Sequence, residues 1–221
     1  MSSLVAENIF VRIGMRDILN GVTIRADRGK ITGLLGRNGC GKSTMLKAMF
    51  GTMRAYERSV FLDGQYVRKL YTINKGVNYL PQHAFLPPGF KISRILQDFE
   101  VGVPDIISDF PELEADIDKR VGELSGGLDR LWSALILVYA DTKFTLLDEP
   151  FTHIMPLHIE RLKQVLLKQK LKKGIIITDH MYRHLLDVSD TIYLMKEGKT
   201  IYIKEREDIV LHGYLRELID W

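Results

Sequence analysis

Hydrophobic and polar residues alternate at the start of the chain. The alternation covers residues 4–11 and 22–26, and turn-like residues, Gly14 and Asn20-Gly21, lie between the two segments. A period of two is typical of strands that bury one face, and Gly and Asn-Gly are typical of turns. The pattern predicts a short layer of antiparallel β-strands at the N-terminus.

Apolar runs then alternate with helical patterns. The apolar run 31–35 leads into a glycine-rich turn, and residues 42–50 have helical character. Further strands are predicted at residues 60–62, 76–80, 144–147, 174–178 and 191–195, and further helices at residues 157–171 and 180–188. This alternation predicts an α/β core in which a parallel sheet carries helices on both faces.

Two regions stand apart from the alternation. Residues 92–139 have a mostly helical pattern, which predicts a helical arm over about residues 84–138 inserted in the α/β core. The tail, residues 204–221, predicts a helix that packs back on the domain. Its apolar residues are Ile209, Leu211, Leu215, Leu218 and Ile219. We expect residues 1–221 to form a single domain with these subdomains.

Composition limits the partners and the compartment that we expect for the chain. The chain has 221 residues, and its formal net charge is only +3, which does not favour nucleic acid or an anionic membrane surface as a partner. Cys40 is the single cysteine, so no internal disulfide can form, and a reducing compartment is expected. The N-terminus lacks the pattern of a signal peptide, and the longest apolar run, 131–140, is half of the about 20 residues that span a bilayer. These features predict a cytoplasmic protein.

A basic run is the one local candidate for nucleic-acid binding. It consists of Lys168, Lys170, Lys172 and Lys173. Lysines near the C-terminus of a helix are favoured by the helix dipole, so we interpret the run as a solvated helix end. No nucleic-acid partner is expected.

A phosphate-binding loop follows the apolar run 31–35. The segment matches the pattern GxxxxGK(S/T) and lies between a predicted strand and a predicted helix, where a plain glycine-rich turn is the alternative. Glycine amides can approach phosphate oxygens closely, and the helix N-terminus favours anions. The candidate nucleotide-binding residues of this loop are Gly36, Arg37, Asn38, Gly39, Cys40, Gly41, Lys42, Ser43 and Thr44.

Three residues at the end of this loop have distinct predicted roles. Lys42 would place its ammonium between the β and γ phosphates, Ser43 would be a ligand of Mg²⁺, and Thr44 would donate to the α phosphate. The predicted cofactors are therefore ATP and Mg²⁺.

Two acidic residues end the predicted strand 144–147. Asp148 and Glu149 precede Pro150, and a solvated acidic turn is the alternative interpretation. At the carboxyl edge of the sheet, beside the phosphate loop, Asp148 would hold Mg²⁺ directly or through water. Glu149 would orient or deprotonate the water that attacks the γ phosphate.

Three further motifs carry a family resemblance. Leu124-Ser125-Gly126-Gly127 precedes a helical segment and resembles the signature motif of ATP-binding-cassette (ABC) proteins. Gln82, after a strand, resembles the family's Q-loop, and His180 resembles its switch histidine. The order and spacing of all motifs agree with the ABC family, so the chain resembles a stand-alone nucleotide-binding subunit of an ABC transporter over nearly its whole length.

The resemblance implies a function and further roles. Two subunits of this family associate head to tail, as a homodimer or heterodimer, so that the phosphate loop of one and Ser125, Gly126 and Gly127 of the other enclose each ATP. Gln82 would sense Mg²⁺ and the attacking water, and His180 would bond the γ phosphate. The implied protein is an ATP hydrolase on the cytoplasmic face of a membrane, coupled to an integral-membrane transporter subunit.

Two alternatives follow from the same family. A soluble ABC ATPase acts on a protein assembly, as in iron-sulfur scaffolds. A nucleotide-gated regulator hydrolyses ATP only weakly. The alternative of a regulator is kept because this chain departs from the family pattern.

The departures from the pattern concern three positions. Met155 stands where an aspartate that connects the two sites is expected, and Leu128 stands where Gln or Glu is common. Ile13 takes the position of the adenine-stacking aromatic residue, which predicts apolar cover of the base without stacking and loose base selectivity. We expect nucleotide binding to survive these changes and the rate of hydrolysis to be affected.

Cys40 is expected to be reactive. It lies inside the phosphate loop beside a helix N-terminus, where the pKa of a thiol is ordinarily lowered. The alternative is a small residue that only fills the loop. The sequence predicts inactivation by thiol alkylation and protection by ATP.

Overall fold

The computed structural model describes residues 2–205 and 207–215. Within these residues, ten strands form two sheets. The strands are β1 Ser3–Ile13, β2 Arg16–Asp27, β3 Ile31–Gly36, β4 Glu57–Leu62, β5 Gln65–Tyr66, β6 Val77–Leu80, β7 Phe144–Asp148, β8 Gly174–Thr178, β9 Thr191–Lys196 and β10 Lys199–Ile203.

Helices connect these strands. The α-helices of the described residues are α1 Lys42–Phe50, α2 Ile92–Asp98, α3 Val103–Asp109, α4 Gly126–Tyr139, α5 Pro156–Gln169, α6 Tyr182–Val188 and α7 Glu207–Leu211. Short 3₁₀ helices lie at Leu70–Thr72, Pro111–Asp116 and Val121–Glu123. None of the helices in the described ranges has the length and apolar character needed to span a membrane.

The N-terminal sheet is antiparallel, as predicted. Its strand order is β2-β1-β4-β5. The expected turn at Asn20-Gly21 is wrong, because both residues lie inside β2, where Gly21 has a φ of 76° and the pairing with β1 shifts register nearby. A local bulge absorbs the turn-forming residues, so β2 begins at Arg16 instead of at the predicted residue 22.

The second sheet carries the parallel core. Its order is β10-β9-β3-β8-β7-β6, and all pairs are parallel except β10 with β9. Every residue of β3, β7 and β8 is buried, as expected of strands covered on both faces. The sequence pattern missed β10, which pairs antiparallel with β9 at the edge of the sheet.

The two faces of this sheet belong to different cores. Ile31 and Leu35 of β3 join a core formed with α4, α5 and the helical arm. Leu34, on the opposite face of the same strand, joins a core formed with α1 and the N-terminal sheet. The period of two along one strand thus divides the interior into two hydrophobic clusters. The fold is the predicted α/β arrangement.

The helical arm between β6 and β7 is less regular than predicted. Residues 92–139 contain α2, α3, two 3₁₀ segments and α4, and only α4 is long, at 14 residues. α4 is buried along most of its length and packs under the sheet. Its N-terminus is thereby held at a fixed position relative to the ends of β6 and β7.

The last residue of the predicted basic run differs from expectation. Lys173 is not solvated: its side chain is buried and its Nζ donates to the Ala140 carbonyl and, at 3.2 Å, to Thr142 Oγ1.

Of the predicted tail helix, only Glu207–Leu211 is helical in the described residues. Leu218 and Ile219 lie outside the described residues.

Candidate functional site

The phosphate loop connects β3 to α1 at the carboxyl edge of the parallel sheet. Gly41 is the N-cap of α1 and has a φ of 108°, a conformation that L side chains rarely adopt. This left-handed residue turns the chain so that α1 begins directly at Lys42. The amides of the loop and of the first helical turn therefore gather at one helix N-terminus.

Lys42 folds back over the loop. Its Nζ donates to the carbonyl oxygens of Gly36 at 2.7 Å and of Arg37 at 3.3 Å. These bonds hold the ammonium above the loop, where an anion bound by the amides would meet it. The local positive charge of Lys42 is thus aimed by the backbone of its own loop.

Cys40 does not lie as the sequence suggested. Its thiol packs behind the loop, where a Cβ added to Gly36 would lie 2.5 Å from Sγ. Burial raises the pKa of Cys40, against the lowering effect of Lys42, so the expected low pKa is wrong. Arg37 and Cys40 line a separate cavity of about 320 Å³, together with Met195 and Tyr214, and neither lines the open cleft beside Lys42 and Ser43.

Asp148, at the end of β7, is fully buried and accepts three hydrogen bonds. The donors are Ser43 Oγ at 3.0 Å, Tyr79 Oη at 3.1 Å and Thr178 Oγ1 at 2.8 Å. Burial, and then the charge of Asp148, raise the pKa of Tyr79, so this phenol stays protonated and donates. Ser43 and Asp148 thereby present two oxygens side by side at the phosphate loop.

Glu149 turns out of the strand. Its φ is 53°, in the left-handed region, and its amide donates to the Thr178 carbonyl at 2.8 Å. Its carboxylate accepts from Gln82 Nε2 at 3.1 Å and lies 3.5 Å from His180 Nδ1. A sparsely populated backbone conformation at a polar site marks a position that the surrounding structure holds in place.

The signature segment begins α4. Ser125 is the N-cap, and its Oγ accepts from the Leu128 amide at 3.3 Å. Gly126 and Gly127 follow as the first helical residues. A second helix N-terminus with small residues is thus present on the helical arm.

One open cleft of about 450 Å³ collects most of the predicted residues. Its lining consists of Ile13, Ile18, Asn38, Gly39, Gly41, Lys42, Ser43, Thr44, Gln82, Glu149 and His180. Ile18 was not predicted, and it adds a second apolar side chain beside Ile13. Ser125, Gly126 and Gly127 are not in this lining, and Gly36 and the buried Asp148 lie behind it.

The oxygens of Ser43 and Asp148 suit a hard cation. Mg²⁺ prefers oxygen ligands and is held in nucleotide sites by one or two protein oxygens together with phosphates and water. Among residues 2–205 and 207–215, no group of three His, Cys, Asp or Glu side chains forms a complete metal cage. The donor set therefore fits a cation that arrives with a phosphate chain.

The comparisons with known proteins decide the family. The sequence profile of the ABC transporter family matches residues 19–152. The chain belongs to the ABC transporter family. It is accordingly an ATP-binding and ATP-hydrolysing subunit of the type that works in ABC transporters.

Curated relatives from this ABC family align over nearly the whole chain. The lipopolysaccharide export system ATP-binding protein LptB of Haemophilus influenzae is 30% identical, over 95% of this chain and 93% of the relative. The iron(3+)-hydroxamate import ATP-binding protein FhuC of Bacillus subtilis is 30% identical, over 91% and 81%. The relatives' names include both export and import.

Solved structures agree with the fold of an ABC subunit. An ATP-binding subunit of an ABC transporter superposes with a TM-score of 0.81, at 22% identity, over 97% of this chain and 95% of that chain. A nucleotide-free ATP-binding cassette of an ABC transporter gives 0.78, at 23% identity, over 98% of each.

Of the three departures from the ABC pattern, Ile13 lines the cleft, and Met155 and Leu128 do not. Met155 is 59% exposed and caps the start of α5, and Ile13 is 54% exposed at the rim of the cleft. His153, two residues before Met155, has a φ of 65°. The segment between Pro150 and Pro156 thus has an unusual sequence and a constrained backbone.

Sequence reasoning missed three polar residues behind the site, of which Asp179 and Arg130 are buried and Tyr79 is half-buried. Tyr79 bonds Asp148, as described above. Asp179 accepts from the amides of Phe151 at 3.2 Å and Met181 at 2.8 Å, so it ties the segment after Glu149 to the segment of His180. Arg130 contacts the backbone at the ends of β6 and β7. The available signal for Arg130 was a basic residue directly before the long apolar part of α4.

Proposed function

We propose that this chain binds Mg-ATP in the cleft, pairs head to tail with a second such subunit, and drives an integral-membrane transporter subunit from the cytoplasmic face. One observation carries the proposal. Lys42, Gln82, Glu149 and His180 line one cleft, whereas Ser125 and its glycines stand at another helix N-terminus outside that lining. Each chain thus offers two half-sites for phosphate, which two chains complete for each other.

The phosphates would lie on the N-terminus of α1. The loop amides and Lys42 would bind the β and γ phosphates, and Thr44 would donate to the α phosphate. The apolar side chains of Ile13 and Ile18 would cover the adenine without aromatic stacking, which leaves the base loosely selected and GTP usable.

Ser43 and Asp148 are the residues we propose to hold Mg²⁺, with Gln82 nearby. When bound, the cation would neutralise charge on the phosphates and orient them. Asp148 already accepts from Ser43, Tyr79 and Thr178, so its carboxylate is fixed before any ligand arrives.

Glu149 is the residue we propose as the base. Its carboxylate would take a proton from the attacking water as the water oxygen bonds the γ phosphorus and the bond to the β-γ bridging oxygen breaks, releasing ADP. Gln82, 3.1 Å from this carboxylate, would orient the water, and His180 would bond the γ phosphate.

We further propose that residues 1–221 form one ABC ATPase domain whose helical arm, about residues 84–138, meets the membrane partner near Gln82. The arm packs beneath the parallel sheet through α4, which supports a common unit.

The test is capture of the closed dimer. Glu149→Gln should hold ATP and hydrolyse it far more slowly than the parent chain, and size-exclusion chromatography with Mg-ATP should then show a dimer that Lys42→Ala does not form. Affinity capture with Glu149→Gln from detergent-solubilised host membranes should recover a polytopic membrane protein. Recovery of a soluble assembly instead would favour the scaffold function.

A weakly hydrolysing regulator is the second candidate, favoured by the exposed Met155 where the family has an aspartate. In that case ATP turnover would be slow in the parent chain and unaffected by Glu149→Gln.

A further inference from the structure

Arg130 occupies an unusual place in the signature helix. It is the fifth residue of α4 and only 9% exposed. Its Nη1 donates to the Pro81 carbonyl at 2.5 Å, and its Nη2 donates to the carbonyls of Asp148 and Glu149, the latter at 2.9 Å. One guanidinium therefore joins three carbonyl groups from two other segments.

The three carbonyls belong to the backbone that presents the candidate catalytic groups. Pro81 directly precedes Gln82, and Asp148 and Glu149 end the neighbouring strand β7. The ladder between β6 and β7 ends at the pair Leu80 and Leu147, so these two strands supply no hydrogen-bond partner to each other at the three carbonyls. The fork of Arg130 bridges the gap that opens where the two strands diverge.

The Glu149 peptide is held from both sides. Its amide donates to Thr178 on β8, and its carbonyl accepts from Arg130 on α4. Glu149 has a φ of 53°, a conformation that persists only where the surroundings enforce it. Arg130 and the Thr152 amide, which donates to the same carbonyl at 3.4 Å, both hold this peptide.

The carboxylates around Arg130 favour a charged guanidinium at this buried position. Burial lowers the pKa of Arg130, and the nearby carboxylates of Asp148, Asp179, Glu149 and Asp129 oppose that effect. Arginine stays protonated in proteins, so this side chain does not exchange protons with a reacting group. Any contribution to hydrolysis must come through the geometry that it imposes.

We propose that Arg130 is a positioning residue for ATP hydrolysis. Its guanidinium ties the backbone next to Gln82 and the backbone at Glu149 to α4, the helix that begins with the signature segment. The side chains of Gln82 and Glu149 then meet at 3.1 Å. Because Arg130 lies in the second turn of α4, movement of the signature segment toward a nucleotide is passed to Glu149 partly through this side chain. The inference rests on the proposed role of Glu149.

The experiment uses the purified full chain with two substitutions at one position. Arg130→Lys keeps the charge but replaces the planar guanidinium fork with a single ammonium nitrogen, and Arg130→Met removes the donors. The control is Arg94→Met, which breaks an exposed ion pair with Asp98 on α2 of the same arm. We would measure kcat, the Kd of a non-hydrolysable ATP analogue, and Tm.

We expect kcat to fall about 100-fold for Arg130→Met and about 10-fold for Arg130→Lys, because a misplaced catalytic group loses rate steeply. The Kd of the analogue should change less than about threefold, since Arg130 does not line the cleft. Arg94→Met should match the parent in all three. Unchanged kcat in Arg130→Lys, or a loss of affinity as large as the loss of kcat, would overturn the proposal.

A double-mutant cycle separates this inference from the proposed function. If Arg130 acts through Glu149, Arg130→Lys should lower single-turnover hydrolysis in the parent and change nothing further in a Glu149→Gln background. Independent, multiplicative losses would overturn the inference. Full hydrolysis by Glu149→Gln alone would instead refute the proposed role of Glu149, whatever Arg130→Lys does.

Discussion

Gly127 packs against the backbone carbonyl of His153, so closely that a Cβ at position 127 would lie 2.5 Å from that oxygen. Real Cβ atoms essentially never come so near. His153 itself has a φ of 65°, so this carbonyl has little freedom to move away. The first turn of α4 therefore packs directly against the segment that follows Glu149 in the same chain.

The first prediction compares Gly127→Ala with Gly126→Ala. Gly127→Ala should lower the free energy of unfolding by about 1–3 kcal/mol, because the added methyl group forces the two segments apart. A Cβ at Gly126 meets nothing within 4 Å, and alanine favours helix, so Gly126→Ala should leave stability unchanged or raised by up to about 1 kcal/mol. Denaturant unfolding of both variants checks this; equal stabilities would contradict the close contact.

The second prediction concerns Lys42. Lys42→Ala should abolish ATP hydrolysis and weaken ATP binding at least about tenfold, because the ammonium held over the phosphate loop is lost. Lys47→Ala, at the other end of α1 and outside the cleft lining, is the matched control and should retain activity. Phosphate release and nucleotide titration measure both effects. Hydrolysis that persists without Lys42 would refute the assigned site.

The third prediction concerns the reactivity of Cys40. Since burial raises its pKa, maleimide or iodoacetamide should label it slowly at neutral pH, and the rate should keep rising above pH 9.0, the ordinary value. Cys40 is the single cysteine, so mass spectrometry reports this site alone.

Labelled protein should lose ATP hydrolysis, because Sγ packs against Gly36 and an adduct displaces the loop. Bound ATP should slow the labelling by holding the loop in place. Cys40→Ser should tolerate the reagent. Full hydrolysis after stoichiometric labelling would show that the loop accommodates the adduct.

The fourth prediction concerns pH and Lys173, which is 2% exposed and whose pKa burial lowers to about 8. Between pH 8 and the ordinary value of 10.5 the folded chain binds fewer protons here than the unfolded chain. Stability should therefore rise with pH across this window, and the desolvation cost is fully present below it.

Lys173→Met measures this contribution. The difference in unfolding free energy between the parent and Lys173→Met should shift toward the parent by up to about 3 kcal/mol as pH rises through the window. Lys172→Met, at the exposed neighbour, should show no such trend. Parallel pH profiles for the parent and Lys173→Met would contradict a buried, depressed lysine.

Local patterns explain why much of the fold and of the candidate cleft was predictable. Asn38 to Thr44 are consecutive in sequence, and a strand followed by a helix brings them together with little help from the rest of the chain. Asp148 and Glu149 end a fully apolar run, and parallel strands share one carboxyl edge.

Tertiary contacts determine the features of the fold and of the site that the sequence did not predict. The bonds of Arg130 join residues 49, 18 and 19 positions away, and nothing in α4 alone specifies them. Asn20-Gly21 has turn chemistry, but pairing of β2 with β1 on both sides of it kept it inside a strand. Burial on the reverse side of the phosphate loop outweighed the helix terminus at Cys40 and reversed the expected pKa shift. Burial and long-range contacts do not appear in a linear pattern.

The strand order places β8 between β3, which carries the phosphate loop, and β7, which carries the acidic pair. Neighbouring strands lie about 4.8 Å apart, so the two halves of the cleft begin about 10 Å from each other. That separation is fixed by main-chain hydrogen bonds rather than by any side chain. Substitutions of side chains around the cleft can therefore change affinity and rate. The distance between the phosphate loop and the acidic pair, and with it the length of ligand that fits between them, is set by β8 and stays constant.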